Sequence, residues 1–354
     1  MTGDRNHNLS MFLASFLSLI LTINARSYLP ERFIRDSNYI NLRINTKVTF
    51  WNDSFDLPVN IYKFFHLTST DDNLLVSLFG WIIGFLPYYI IYRLHKELNL
   101  IGSILFYIGI LLLPFYYFGY TKEVISSFVC LSLVIAARKL DHMNANIFLL
   151  LIFLLAGSVF RTYWILLSVV FALLTFTERY HRILPNIFRI LMIPFTSIFL
   201  VLICQLAGMT GINRARLIPQ QSFSDVATNS LLPGVDLGGG SIILVQNIFE
   251  VFVGLVFPIL IYKSISVYSI FAILICTLLT YATLNTNIKQ RCVNHLYTYH
   301  YFPVSLLIIQ LIFEPDLGSY VRHVAPFIPI IVMQMTTKRS LPNITEIQNR
   351  NLNK

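Results

Sequence analysis

Between Leu9 and Met335 the chain alternates apolar runs of roughly 14 to 22 residues, the length scale of helices that cross a bilayer, with short polar joints that hold its arginines, histidines and acids. Taken in order, the runs predict helices near 9–23, 74–92, 100–118, 124–137, 147–160, 163–176, 187–209, 242–261, 267–284, 299–313 and 321–335. No internal repeat, heptad or Gly/Ser linker divides them. The fold class expected is therefore all-α: one polytopic integral membrane domain over 1–354, with about ten to twelve transmembrane helices.

Composition narrows the class without changing it. Mean hydropathy is +0.67, 56% of residues are hydrophobic and only 12% are charged, against about 25% charged in soluble domains. The net charge of +9 is not gathered into a dense basic run on a soluble fold, so anionic membrane lipid is the expected partner and nucleic acid is not. Cys130, Cys204 and Cys276 fall within apolar runs and Cys292 is alone in a polar stretch. That distribution offers neither a disulfide framework nor a CxxC metal site, and the cysteines read as small buried hydrophobes.

The polar joints carry the orientation. The first run follows Arg5 and His7 and lacks a small-x-small cleavage pattern, so it is expected to be a retained span with a cytoplasmic N-terminus. Counting on, Arg93, His95 and Lys96, then Arg138, Lys139 and His142, then Arg179, His181, Arg182 and Arg189 fall in short cytoplasmic connections, as the positive-inside rule requires. A tail over about 336–354, with Lys338, Arg339, Arg350 and Lys354, is expected inside by its charge. Eleven runs would put it outside, so a re-entrant segment or a missed span between Thr210 and Tyr301 is implied. Two long segments, about 24–73 and 210–241, are expected on the external side. Structureless loops beyond about 15 residues are uncommon, and both segments have mixed charges and aromatics, so they read as folded caps over an external cavity.

Candidate chemistry follows from those joints. The first external segment contains Asp36, flanked in sequence by Arg32 and Arg35, with Tyr39 and Asp53 further on. An ionised carboxylate near the bilayer surface can bind or deprotonate a sugar hydroxyl, or simply form an exposed ion pair. Lys122 and Glu123 precede the fourth run, Arg161 lies in a tight hairpin, and Arg214 and Arg216 lead the second long segment. Arg291 and His295 precede the tenth run, and Arg322 and His323 begin the last. The planar donor fork of arginine matches phosphate oxygens, so converging arginines suit a diphosphate; the alternative for each is a snorkelling side chain at a helix end. Glu250, four residues after Gln246 on one helix face, is a candidate because ionisable groups at membrane depth are costly. Tyr39, Trp164 and Tyr320 are candidates for stacking on sugar rings, with anchoring at the membrane interface as the stronger reading for each alone. HExxH, GxSxG, GxGxxG and Walker patterns do not occur, which leaves zinc, serine-hydrolase, dinucleotide and ATP-driven chemistry without support. No metal ligand set and no cofactor is expected.

These segments together resemble the Wzy class of polytopic polymerases that join repeat units of bacterial O-antigen or capsule. The resemblance is carried by Arg35-Asp36-Ser37-Asn38-Tyr39-Ile40, Trp51-Asn52-Asp53-Ser54-Phe55, Lys122-Glu123, Phe160-Arg161, Ile288-Lys289-Gln290-Arg291 and Tyr320-Val321-Arg322-His323, followed by Pro326 and Pro329. Some members of that class carry, in two external loops, an arginine followed by ten residues and a glycine. No arginine here has glycine at that spacing, so those loops cannot be carried over.

The resemblance implies transfer of a growing glycan from undecaprenyl diphosphate to the nonreducing sugar of a lipid-linked repeat unit, on the external face of the bacterial inner membrane. It implies Asp36 as base or acceptor anchor, with Arg161, Arg291 and Arg322 as clamps on diphosphate or glycan. Substrate contacts are then expected from Tyr39, Asp53, Lys122, Arg214, Arg216, Glu250, His295 and His323. An undecaprenyl-diphosphate-linked glycan and membrane lipid are the implied partners, and a chain-length regulator protein is left open. Two rivals stand beside this reading: a lipid-linked oligosaccharide flippase, and a membrane glycosyltransferase that uses a polyprenyl-phosphate sugar.

Overall fold

The computed structural model of the chain describes residues 2–29, 31–44, 54–68, 73–94, 98–177, 185–206, 241–257, 267–288, 299–313 and 317–335. Among them the secondary structure is helical, with no strand. Each apolar run expected from sequence gives a helix: α1 (Thr2–Ile23), α5 (Asn73–Leu94), α6 (Leu100–Tyr116), α7 (Glu123–Lys139), α8 (His142–Val159), α9 (Tyr163–Phe176), α10 (Asn186–Leu206), α11 (Ser241–Val256), α12 (Val267–Ile288) and α13 (Phe302–Phe313). The first long polar segment is folded too, as α2 (Ala25–Tyr28), α3 (Glu31–Ile44) and α4 (Asp56–Phe64). The segment expected as a second cap, 210–241, and the tail, 336–354, lie outside the described residues but for Ser241.

The last run departs from expectation. Instead of one helix over 321–335 it forms α14 (Leu317–Val324), a 3-10 turn (Ala325–Phe327) and α15 (Ile328–Met333). Pro326 and Pro329 account for the break, since proline supplies no N–H and its ring clashes with the preceding helical turn.

Length and composition alone qualify two described helices, Leu74–Arg93 and His142–Val159, to cross a membrane, and several shorter apolar helices accompany them. The surface they present is unusual. Phe12, Leu13 and Phe16 on α1, Leu151 and Leu155 on α8 and Phe199 on α10 are all more than half exposed. On α1 and α8 these positions recur at helical spacing, on the face where a water-facing helix places polar residues. Charges are found inside instead, with Glu123, Arg161 and Asp56 buried. Arg189, expected in a cytoplasmic joint, is fully buried on α10. Its apolar neighbours Ile187, Phe188, Leu191 and Met192 are exposed instead, so this face of the helix is inverted relative to the expectation.

At the centre is α7, packed against α5, α8, α15 and the 3-10 turn. Aromatic rings fill the space around it, with Phe153 5.1 Å from Trp164, 5.5 Å from Phe302 and 5.8 Å from Phe327 between centroids, within the range of favourable ring pairs. Polar side chains tie helix to helix where apolar surface alone would not fix register. Trp81 donates to Ser18 Oγ at 3.1 Å, and Ser18 donates to the Ile110 carbonyl at 2.8 Å, linking α5, α1 and α6. Tyr299 donates through its N–H to Asn146 Oδ1 at 3.0 Å and through its hydroxyl to the Leu133 carbonyl at 3.0 Å. Cys130 and Cys276 are buried, as small hydrophobes would be.

Candidate functional site: a five-membered charge cluster

The site is assembled around the turn between α6 and α7. Gly119 adopts a left-handed conformation there, φ 59°, which suits a residue without a Cβ. An added Cβ would lie 2.7 Å from Ser37 Oγ, so glycine also permits the close approach of α3. Ser37 Oγ accepts from the Tyr120 N–H at 3.1 Å and from Arg26 Nη2 at 3.2 Å. Tyr62 on α4 closes the turn from the other side, accepting from the Thr121 N–H at 2.9 Å and donating to its carbonyl at 3.1 Å. Because Asp36 adjoins Ser37 and Lys122 adjoins Thr121, these backbone ties fix Asp36 and Lys122 side by side.

Two further charges arrive from distant segments. Gly157 in α8 lets the α8–α9 hairpin close tightly, since a Cβ there would lie 2.8 Å from the Ile165 nitrogen. The hairpin turns Arg161 inward, its guanidinium 4.8 Å from the Phe160 ring centroid and 5.9 Å from those of Tyr163 and Trp164. Arg322 is delivered by α14, whose apolar residues Tyr320, Val321 and Val324 are buried.

The five groups form one network. Arg161 Nη2 donates to Glu123 Oε1 at 2.9 Å, and Arg322 Nε donates to the same oxygen at 3.1 Å. Ser126 donates to the second Glu123 oxygen at 3.3 Å. Arg322 also donates through Nη2 to Asp36 Oδ2, and Lys122 Nζ lies 3.3 Å from that same atom. Arg322 thus bridges two carboxylates 286 and 199 positions away in sequence. Among the described residues three cations face two carboxylates, leaving one positive charge in excess.

One end of the network is closed and the other is open. The side chains of Glu123 and Arg161 are 0 and 6% exposed, whereas those of Lys122, Asp36 and Arg322 are 18, 22 and 28% exposed. Phe55, which precedes α4, stands at the open end with Lys122 Nζ 4.6 Å from its ring centroid. Tyr39, exposed on α3, meets Phe55 edge-on at 4.8 Å. Arg43 lies 5.3 Å over the Tyr39 ring and pairs with buried Asp56 at 3.0 Å.

These surroundings lower both open groups, which favours the charged form of Asp36 and the neutral form of Lys122. Burial alone would raise the Asp36 carboxyl, but the guanidinium of Arg322 and the ammonium of Lys122 outweigh it and hold the acid well below the usual carboxylate range. A carboxylate so depressed is a weak proton acceptor, so of the two roles considered for Asp36 the surroundings favour anchor over base. Burial, reinforced by Arg322, pushes the Lys122 ammonium down to about 8 despite the attraction of Asp36.

Of the residues singled out from sequence, Asp36, Lys122, Arg161 and Arg322 converge in this cluster, and Tyr39 stands at its rim. His323 is buried and faces the Tyr163 ring at 6.2 Å. Glu250 is carried by α11, which packs mainly against α10, α12 and α13 rather than on the helices that hold the cluster. Asp53, Arg214, Arg216, Arg291 and His295 lie outside the described residues. Trp164 and Tyr320 are not available to stack on a sugar: both are buried, at 1 and 2% exposure, because their helices turn them into the core. Sequence reading passed over Glu123 as a site residue, although its position beside Lys122 at a helix start was visible. Among the described residues no group of three or more His, Cys, Asp or Glu side chains could hold a metal ion. No family model, no curated protein and no solved structure matches the chain.

Proposed function

We propose that the chain is a polytopic polymerase of the bacterial inner membrane, joining undecaprenyl-diphosphate-linked oligosaccharide repeat units into O-antigen or capsular polysaccharide on the external face. The single observation that carries this reading is the open, cation-rich end of the cluster, where Arg322 and Lys122 stand beside Asp36 with positive charge in excess. Such an end suits a diphosphate leaving group, for which arginine supplies a matched donor fork and lysine a point charge. Two further points support it. The exposed apolar helix faces suit a lipid surround, and four segments that carry the Wzy resemblance contribute the cluster's members.

Each residue then has a role. Arg322 binds the diphosphate, whose developing charge is stabilised by donors fixed beforehand, and Lys122 adds a point charge whenever it holds its proton. Asp36 orients both cations and accepts from a glycan hydroxyl. Glu123 and Arg161 hold that arrangement from behind. Tyr39 and Phe55 offer apolar ring faces to a sugar beside the charges.

The reading is tested in a strain lacking the gene. A lost polymerase leaves lipid A-core capped by a single repeat unit. No exported unit at all would indicate a flippase, and a full ladder missing one branch sugar would indicate a decorating glycosyltransferase; either result overturns the proposal.

A further inference from the structure

A transfer to a sugar hydroxyl needs a group that takes the hydroxyl's proton, and Asp36 is poorly suited to it. The other members of the cluster can be judged by their chemistry. Arg161 and Arg322 keep their protons at any physiological pH. Glu123 is fully enclosed, with Oε1 taken by two guanidiniums and Oε2 by Ser126. His323 is packed against Tyr163, which itself stacks on Phe313 at 5.3 Å.

Lys122 is different in position and in surroundings. It sits immediately before α7 at the open edge, beside the Phe55 ring. The charged groups that face it are Asp36 from α3, Glu123 from α7, Arg161 from the α8–α9 hairpin and Arg322 from α14. Its nearest counter-ion is shared, because Asp36 Oδ2 also receives Arg322 Nη2. Two permanent guanidinium charges therefore compete with the ammonium for two carboxylates, and lysine alone of the three cations can shed its charge.

We propose that Lys122, as a neutral amine at the open edge of the cluster, is the group that receives the proton of the acceptor hydroxyl. This rests on the polymerase reading above. The hydroxyl proton passes to the Nζ lone pair, and the electron pair of the O–H bond forms the new glycosidic bond to the donor's anomeric carbon. The bond from that carbon to the diphosphate oxygen breaks with its electrons, and undecaprenyl diphosphate departs against Arg322. The ammonium then returns its proton to water through the open edge.

The test has two arms. In the first, lysine reactivity toward an acylating reagent is followed against pH by peptide mass spectrometry on the whole protein in detergent, with exposed Lys139 as internal reference. Half-maximal reactivity of Lys122 near pH 8 supports the inference; a midpoint near about 10.4, as for an ordinary lysine, overturns it whatever the protein does. In the second arm, elongation of lipid-linked repeat units by purified protein is measured. Lys122→Arg preserves the charge but cannot become neutral, and is expected to lose about 100-fold or more in rate while still binding the lipid-linked donor. Lys122→His is expected to recover part of the rate, with the rising limb of its pH profile moved toward about 6.5. Wild-type rate in Lys122→Arg overturns the inference and leaves the polymerase reading intact, whereas a wild-type protein that elongates nothing overturns the reading and the inference together.

Discussion

The two ends of the charge cluster use the same chemical groups for different work. At the closed end Glu123 has both oxygens engaged, two guanidiniums on one and a hydroxyl on the other, and no exposed surface. It fastens the start of α7 to the α8–α9 hairpin and to α14, three segments that apolar packing alone would leave free to slide. At the open end Asp36 offers one oxygen to two cations, and all three side chains keep part of their surface. A buried ion pair satisfied on every side holds a fold in register; a half-covered one with a surplus cation can take on a ligand. Arg322 belongs to both ends, so anything that moves it couples the scaffold to the site.

The largest expected effect lies at the closed end. Glu123→Gln keeps the shape of the side chain but strands the Arg161 guanidinium without its counter-ion and leaves Arg322 to Asp36 alone. Removing one member of a buried pair costs about 3–5 kcal/mol, so this variant is expected to lose thermal stability in detergent and most of its accumulation in the membrane. Adding Arg161→Met should recover part of that loss, since the second change removes the stranded charge. If Glu123→Gln melted like the wild type, the closed end would not be the fastening described above.

Arg322→Lys comes next and joins the two ends. Lysine retains the charge but cannot reach Asp36 and Glu123 at once with a planar fork. Stability should fall by about 1–2 kcal/mol, the range for a hydrogen bond to a charged group. On the polymerase reading, polymer ladders should disappear when the variant is expressed at the level of the wild type. Unaltered ladders would reduce Arg322 to a structural bridge.

How far these features could be read in the sequence depends on range. The helices were legible because long apolar runs declare themselves locally, and α5 to α10 fall where the runs place them. The division of the last run was legible only in part, since Pro326 and Pro329 were visible but the turn they impose was not. For the site, Asp36, Lys122, Arg161 and Arg322 stood out as charges at apolar joints. Their meeting did not, because it is fixed by Ser37 against Gly119 and Tyr62 against Thr121, contacts between segments far apart in sequence. Glu123 was passed over for a physical reason: only tertiary burial and the approach of Arg161 and Arg322 make it the centre. Trp164 and Tyr320 misled in the opposite sense, since aromatic residues at a helix start suit an interface as well as a core.

The depressed Asp36 acid supplies a pH-dependent contrast. A carboxyl whose folded-state pKa lies below its unfolded value contributes stability that is present above the ordinary range, near about 3.9, and lost as pH falls toward the folded value. Melting of the wild type and of Asp36→Asn should therefore differ by about 1–2 kcal/mol at pH 6, and the gap should close as the pH drops below about 4. A gap independent of pH would mean that Asp36 acts through shape rather than charge.

The smallest effect is expected at the rim. Tyr39 is exposed and, among the described residues, meets the cluster through Phe55, so Tyr39→Ala should change stability by no more than about 0.5 kcal/mol. Loss of one ring face against a sugar is worth about 0.5–1.5 kcal/mol, which predicts a KM for the lipid-linked acceptor raised about two- to tenfold with kcat little altered. This pairing of a functional change with almost no structural one is the reverse of what Glu123→Gln should give. If Tyr39→Ala instead destabilised the protein and left KM unchanged, the aromatic rim would be packing rather than a contact surface, and the open end would lose its distinction from the closed one.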